Sequence, residues 1–156
     1  MKILIFSDSH RNIAPMLDAA EREKPDQIIH LGDHEGDALR LRELLPNTPV
    51  LYVPGNCDPG SDAPQTLKPV IDGVRFMVTH GHRYQVKFGL MRIGLAALEA
   101  EVQAVLFGHT HQPYTEWFEN VLLFNPGTVG GRGGTYGILE TMHGVITNYR
   151  ILRTQE

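Results

Sequence analysis

Cysteine is almost absent from this sequence. Among 156 residues only Cys57 carries a thiol, so no internal disulfide can form, and the expected compartment is the reducing cytoplasm. Long apolar runs are missing as well. The stretch Ile3 to Phe6 near the start is far too short for a signal peptide or a membrane span, and Asp8 follows it almost at once. Neither a membrane partner nor a secretory route is expected. Positive charge is scarce: 14 Lys and Arg stand against 18 Asp and Glu, a net charge of -4. That balance excludes a broad basic surface for nucleic acid, although metal ions can reverse the field locally in a cleft. Internal repeats, low-complexity tracts and linker-like shifts in composition are lacking too. The length predicts one domain over 1–156, which at this size buries roughly two thirds of the surface its unfolded chain exposes.

What is present is a repeated grammar of an apolar run closed by a polar cluster. Lys2 to Phe6 ends in Ser7-Asp8-Ser9-His10, Gln27 to Leu31 in Gly32-Asp33, and Val50 to Val53 in Pro54-Gly55-Asn56-Cys57-Asp58. Val74 to Val78 ends in Thr79-His80-Gly81-His82, Ala104 to Phe107 in Gly108-His109-Thr110-His111, and Val121 to Phe124 in Asn125-Pro126-Gly127-Thr128. Short, nearly continuous runs of Val, Ile, Leu and Phe are the signature of strands buried on both faces. Helical spacing separates them. Residues 13 to 24 place Ile13, Leu17 and Ala20 on one stripe, with Asn12 as N-cap and Pro15 in the first turn. Ala38, Leu41, Leu44 and Leu45 repeat the pattern, as do Phe88, Met91, Leu95, Leu98 and Val102 over residues 88 to 102, a stripe expected to pack in the core. Near the end, Tyr136 to Thr141 and Val145 to Leu152 flank Met142-His143-Gly144 and predict a β-hairpin. The fold class is mixed α/β, in which ligands bind beyond the carboxyl ends of the strands. Six polar clusters should therefore meet on one edge.

Their chemistry is that of metal ligation. In extended backbone, Asp8 and His10 point the same way and reach one cation, and His109 and His111 share that spacing. Asp33 brings a carboxylate able to bridge, Asn56 a neutral carbonyl oxygen, and His80 a further nitrogen. Four imidazoles, two carboxylates and an amide exceed what one tetrahedral zinc takes and suit two metals of higher coordination. Nitrogen and oxygen donors without an obligatory thiolate favour Mn, Fe, Co, Ni or Zn over Mg or Ca. Elsewhere the plainer readings hold. His30, inside a strand run, and His143, in the hairpin turn, are read as hydrogen-bonded structural residues, and Arg83 and Lys87 as solvated surface. His34 and His82 are candidates for orienting a ligand or meeting substrate, Asp58 for bonding a ligand or capping a turn. The loop Gly127 to Gly134 is read as a flexible hairpin loop before an anion nest with Arg132.

Asp-x-His, Gly-Asp, Gly-Asn-x-Asp, His-Gly-His and Gly-His-x-His, in this order, resemble the calcineurin-like metallophosphoesterase superfamily, and the likeness runs from about Lys2 to Thr128. The compact length and Asn125-Pro126-Gly127-Thr128 resemble its small single-domain bacterial and archaeal phosphodiesterases. The resemblance implies a four-layer αββα sandwich of two mixed β-sheets flanked by helices. It implies a first metal on Asp8, His10, Asp33 and His111, and a second on Asp33, Asn56, His80 and His109, with manganese the first expectation. A hydroxide between the ions would attack a phosphodiester in line, making Asp33 and Asn56 catalytic candidates and the substrate a small phosphate ester. Many members carry histidine where this chain has Cys57, a poorer acid near neutrality, which leaves His82 as a candidate to protonate the leaving group. Three other readings compete. A retromer subunit uses the same fold as an interaction scaffold with a degraded metal site, but this chain keeps every ligand position. A metallo-β-lactamase-like enzyme would need His-x-His-x-Asp-His, whereas Gln112-Pro113 follows His111, and a Cys57 nucleophile would leave the strand-end aspartates idle. Homo-oligomerisation suits a small enzyme, yet no sequence feature marks an interface.

Overall fold

The computed structural model describes residues 1–154. Its elements run β1 (Lys2–Phe6), α1 (Ala14–Glu23), β2 (Gln27–His30), α2 (Glu35–Leu44) and β3 (Val50–Tyr52) in the first half. There follow β4 (Thr66–Leu67), β5 (Val70–Ile71), β6 (Val74–Thr79), α3 (Met91–Glu99), β7 (Ala104–Leu106), β8 (Tyr114–Phe118), β9 (Val121–Asn125), β10 (Thr135–Met142) and β11 (Val145–Arg153). One sheet has the order β11-β10-β1-β2-β3, the other β4-β6-β7-β9-β8 with β5 paired to β6. Each has a parallel centre, β1-β2-β3 and β6-β7-β9, edged by antiparallel strands, so both sheets are mixed.

The continuous apolar runs follow from burial on both faces. Ile3 and Ile5 of β1 point between the sheets, where they meet Phe76, Val78, Leu106 and Phe124. Their neighbours Leu4 and Phe6 face outward to Met16, Ala19 and Ala20 of α1 and Ala38 and Leu41 of α2. Across the molecule, Met77, Val105 and Phe107 meet Ile93 and Ala97 of α3. Helices, sheet, sheet and helix make the four layers. Among the described residues no helix is long and apolar enough to cross a membrane.

Several local expectations need correction. The cap of α1 is Ile13, with no side-chain capping bond, while Asn12 donates its backbone N–H to the Ser9 carbonyl (2.9 Å). The third helix is shorter than residues 88–102. Gly89, at φ 133°, ends a preceding 3-10 turn, and the solvent face carries much of the expected core stripe: Phe88 is 90% exposed, Met91 63% and Leu95 53%. The side facing the sheet is Ile93, Gly94 and Ala97. A Cβ at Gly94 would lie 2.7 Å from the Phe118 ring, so only that small-residue face lets the helix approach β8 and β9 closely. The closing hairpin stands as expected, somewhat longer at both ends, with His143 in its turn. Strand β8 has no counterpart in the sequence reading. Its mixed residues alternate too weakly to announce a strand, and pairing with β9 creates it.

His30, at the end of β2, is fully buried, and that burial pushes its imidazole down to about pKa 4 against the opposing pull of Asp37 and Asp58. The unfolded chain, with a His near 6.5, therefore binds a proton that the folded chain refuses between pH 6.5 and 4. The stabilisation is complete above that window and is lost as the pH falls through it, up to about 3 kcal/mol. Urea unfolding at pH 7 and pH 4.5 should show a larger loss of stability for the wild type than for His30→Gln.

Candidate metal centre

The carboxyl ends of β1, β2, β3, β6 and β7 deliver their polar clusters to a single edge. Backbone bonds strap the loops together: Asp8 N–H donates to the Gly32 carbonyl (3.0 Å), His10 N–H to Asp33 (3.3 Å) and Gly108 N–H to His80 (2.9 Å). Within this edge, ligand atoms of Asp8, His10, Asp33 and His111 all lie within 4.8 Å of one another, and so do those of Asp33, His80 and His109. Asp33 belongs to both groups. Asn56 joins the second, its Oδ1 3.1 Å from His80 Nε2.

The backbone achieves this differently from the expected extended geometry. Asp8, His10, Asp33, His109 and His111 all have positive φ, between 46° and 71°. Turns at these positions, rather than alternation along a strand, aim the side chains. The two members of the Gly-His-x-His motif part company as a result: His109 sits with His80 (ring centroids 5.0 Å apart), His111 with His10 (5.3 Å). Strain of this kind persists only where the surroundings over-determine the conformation.

Those surroundings are hydrogen bonds that the motifs did not disclose. Asp58 settles between its two readings as a bracket. Its Oδ2 accepts from Asp33 N–H (3.0 Å) and Gly55 N–H (2.8 Å), and its Oδ1 from Glu35 N–H (2.9 Å). Ser7 donates to Asp8 Oδ2 (2.5 Å), which also accepts His109 N–H (3.2 Å). Asn125 Nδ2 donates to the Gly108 carbonyl (3.1 Å) and Thr110 Oγ1 (3.0 Å), and Thr128 donates to the Asp8 carbonyl (2.7 Å). His80 donates from Nδ1 to the Leu31 carbonyl (2.7 Å), which orients the ring so that Nε2 faces Asp33 Oδ2 at 3.5 Å. Of the remaining candidates, His34 Nε2 accepts from Arg11 Nε (2.8 Å) and stands outside both groups. His82 lies beside His80 and His109, with centroids at 5.5 and 6.1 Å, and its buried Nδ1 has no partner among the described residues.

The electrostatics suit cations. Asp8 and Asp33 are buried, and Asp8 Oδ1 accepts no hydrogen bond. His111 Nε2 lies 3.1 Å from it and His80 Nε2 3.9 Å, both on candidate ligands. An orphaned buried carboxylate oxygen facing imidazole nitrogens is costly unless a cation completes it. Burial pushes the Asp8 carboxyl up against the charges of His80 and His111. Burial also opposes ionisation of Asp33, yet the His80 contact and the Cys57 N–H (2.9 Å to Oδ1) hold that carboxyl well below its usual range. Burial, together with the charge of His80, pulls His109 down to about 4, so it presents a neutral nitrogen with a free lone pair. The residues therefore fit a pair of divalent cations.

Residues 1–144 match the model of the calcineurin-like phosphoesterase superfamily domain. A probable metallophosphoesterase of Bacillus subtilis is 33% identical over 131 residues, covering 83% of this chain and 75% of that one. A phosphodiesterase of Methanocaldococcus jannaschii is 30% identical over 162 residues, covering 90% and 93%. A solved archaeal phosphodiesterase superposes with a TM-score of 0.77 at 26% identity, over 98% of this chain and 99% of the other. Vps29 of Entamoeba histolytica with zinc superposes at 0.79, over 98% of each chain, and at 18% identity it shares the fold alone. The chain belongs to the calcineurin-like phosphoesterase superfamily, as a metal-dependent phosphoric ester hydrolase.

Proposed function

We propose that the protein, as a single domain over 1–156 acting in a reducing cytoplasm, is a dinuclear-metal phosphodiesterase for small phosphate diesters. The observation that carries this reading is the sharing of Asp33 between two ligand groups, one with Asp8, His10 and His111 and the other with His80 and His109, to which we add Asn56. Two divalent cations would supply the positive charge that lowers the pKa of a water between them to give a hydroxide for in-line attack on phosphorus. The chain's own residues hold the rest. Asp33 and Asp8 provide buried negative charge, His80 is oriented by Leu31, and Asp58 fixes the turn that presents Asp33. His82, placed beside His80 and His109, is our candidate to meet a phosphoryl oxygen, and as a leaving-group acid it would be weak, because burial and the neighbouring His80 pull its imidazole down. Imidazole-rich, thiolate-free donors suit a transition metal such as Ni, Fe, Co or Zn, and the family resemblance makes manganese the first choice to test.

The test is hydrolysis of bis(p-nitrophenyl) phosphate by chelator-treated protein, with Mn²⁺, Ni²⁺, Zn²⁺ or Mg²⁺ restored singly and p-nitrophenyl phosphate as the monoester control. Turnover of the diester, restored by a transition metal and faster than that of the monoester, is the expected result. Two bound metals without turnover would leave a more selective enzyme, and failure both to bind metal and to turn over either ester would redirect the reading to a scaffold.

Cys57 makes a further expectation specific. Burial and the adjacent Asp33 charge push its thiol up, so it stays protonated and gives up its proton reluctantly. Protonation of the leaving group is the step this site serves least well. Aryl phosphodiesters should be cleaved at least about 100-fold faster than alkyl ones, the low end of what a well-matched general acid contributes. Equal rates on both would sink the assignment.

A further inference from the structure

His30 is absorbed neither by the metal ligands nor by the apolar core, yet it is fully buried and makes two directed hydrogen bonds. Gly32 N–H donates to its Nδ1 (3.2 Å), so that nitrogen carries no proton and the proton resides on Nε2. Nε2 lies 2.8 Å from Ser9 Oγ and donates to it, and Ser9 in turn donates to Asp37 Oδ2 (2.6 Å). The same Asp37 oxygen accepts Arg11 N–H (2.9 Å). One relay thus runs from the Gly32-Asp33 turn through the imidazole to Ser9, and on to the first turn of α2. Ser9 stands between Asp8 and His10, in a loop where Asp8, His10 and Arg11 all have positive φ (55°, 46° and 70°). A loop so strained keeps its shape only if something outside it fixes it, and the relay does so together with the backbone straps and the Thr128 bond to the Asp8 carbonyl.

We infer that His30 is a positioning residue, which braces the Asp8-Ser9-His10 loop against the Asp33 turn and so sets the spacing of Asp8, His10 and Asp33 around one cation. The inference rests on the dinuclear reading. A neutral, fixed tautomer is what the role requires, and burial holds the ring in that state. The bond direction matters as much as the filled volume. An apolar residue at position 30 would fill the space but would leave Ser9 to turn towards Asp37 alone and free the loop to relax.

The test is calorimetric titration of Mn²⁺ into chelator-stripped protein, with thermal melting measured on the same samples. Wild type should take up two ions. His30→Leu, and independently Ser9→Ala, should weaken one of the two binding steps by about 10- to 100-fold, the usual effect of removing a group that orients a ligand, and leave the other step unchanged. His30→Gln, whose amide nitrogen can still donate to Ser9, should recover part of the loss. If both ions bind His30→Leu and Ser9→Ala as tightly as wild type, whatever happens to the melting temperature, His30 is only structural and the inference falls. If His30→Leu does not fold, Ser9→Ala decides alone, since it leaves the packing of β2 intact. Should wild type bind none of Mn²⁺, Ni²⁺, Co²⁺ and Zn²⁺ in the same titration, the dinuclear reading fails and takes this inference with it.

Discussion

Asp33→Asn should lower turnover of an aryl phosphodiester by about a thousandfold or more, at least the cost of deleting a single preorganised electrostatic group. It should also leave the purified protein with little bound metal by elemental analysis. Asp33 is 3% exposed, its Oδ1 accepts Cys57 N–H at 2.9 Å, and its Oδ2 faces His80 Nε2 at 3.5 Å. Asparagine keeps the volume and loses the charge. Whichever way the amide turns, its NH₂ either meets the Cys57 N–H or takes the place of the carboxylate oxygen turned to the second ligand group, so an anionic donor is lost. Among the described residues no other belongs to both ligand groups, hence both should empty together. Replacement of a ligand confined to one group, such as His111→Ala, should spare the other ion. Unchanged turnover in Asp33→Asn with metal retained would place the reaction elsewhere on the molecule.

The part of this site legible in the sequence is the part encoded by residue type at strand ends. Buried parallel strands must be apolar throughout, so the first polar residue after each run marks where the sheet surfaces, and Asp8, Asp33, Asn56, His80 and His109 all follow such runs. The αββα layering was legible from the resemblance, and the strand-helix alternation agreed with it. Division of His109 from His111 was not legible from spacing, because it depends on left-handed turns that histidine and aspartate tolerate without requiring. Nor were the supports. Asp58, Asn125 and Thr128 act through bonds to backbone groups up to 120 residues away, and such partners exist only after the sheets have formed. His30 looked like an ordinary strand histidine for the same reason: Ser9 and Asp37 are brought to it by the parallel pairing of β1 and β2. Helix α3 failed in another way. Its sequence carries two apolar faces, Met91 with Leu95 and Ile93 with Ala97, and helical spacing cannot choose between them. Closeness of approach to Phe118 makes the choice, and only Gly94 permits it.

Gly55→Ala should approach Asp33→Asn in its loss of turnover, about a thousandfold, without changing any donor atom. A Cβ at position 55 would run into Asp33 Oδ1 itself, and would stand 2.6 Å from Asp33 N and 2.8 Å from its Cγ. The carboxylate cannot step aside cheaply. Its backbone N–H is held by Asp58, and Gly32, immediately before it, is already packed against Gly55 so tightly that a Cβ there would sit 2.6 Å from Gly55 N. Asp33 would have to rotate out of both ligand groups, or the two turns would have to separate. Forcing a methyl into such a contact typically costs 1–3 kcal/mol, so a lower melting temperature should accompany the lost activity. Gly36→Ala separates this effect from glycine replacement in general: it lies in α2 with nothing within 4 Å of the added methyl, and should stabilise the helix by roughly 0.5–1 kcal/mol with activity intact. If Gly55→Ala instead keeps wild-type turnover, the close approach of the Asp33 and Asn56 turns is dispensable, and the geometry assigned to the shared carboxylate is wrong.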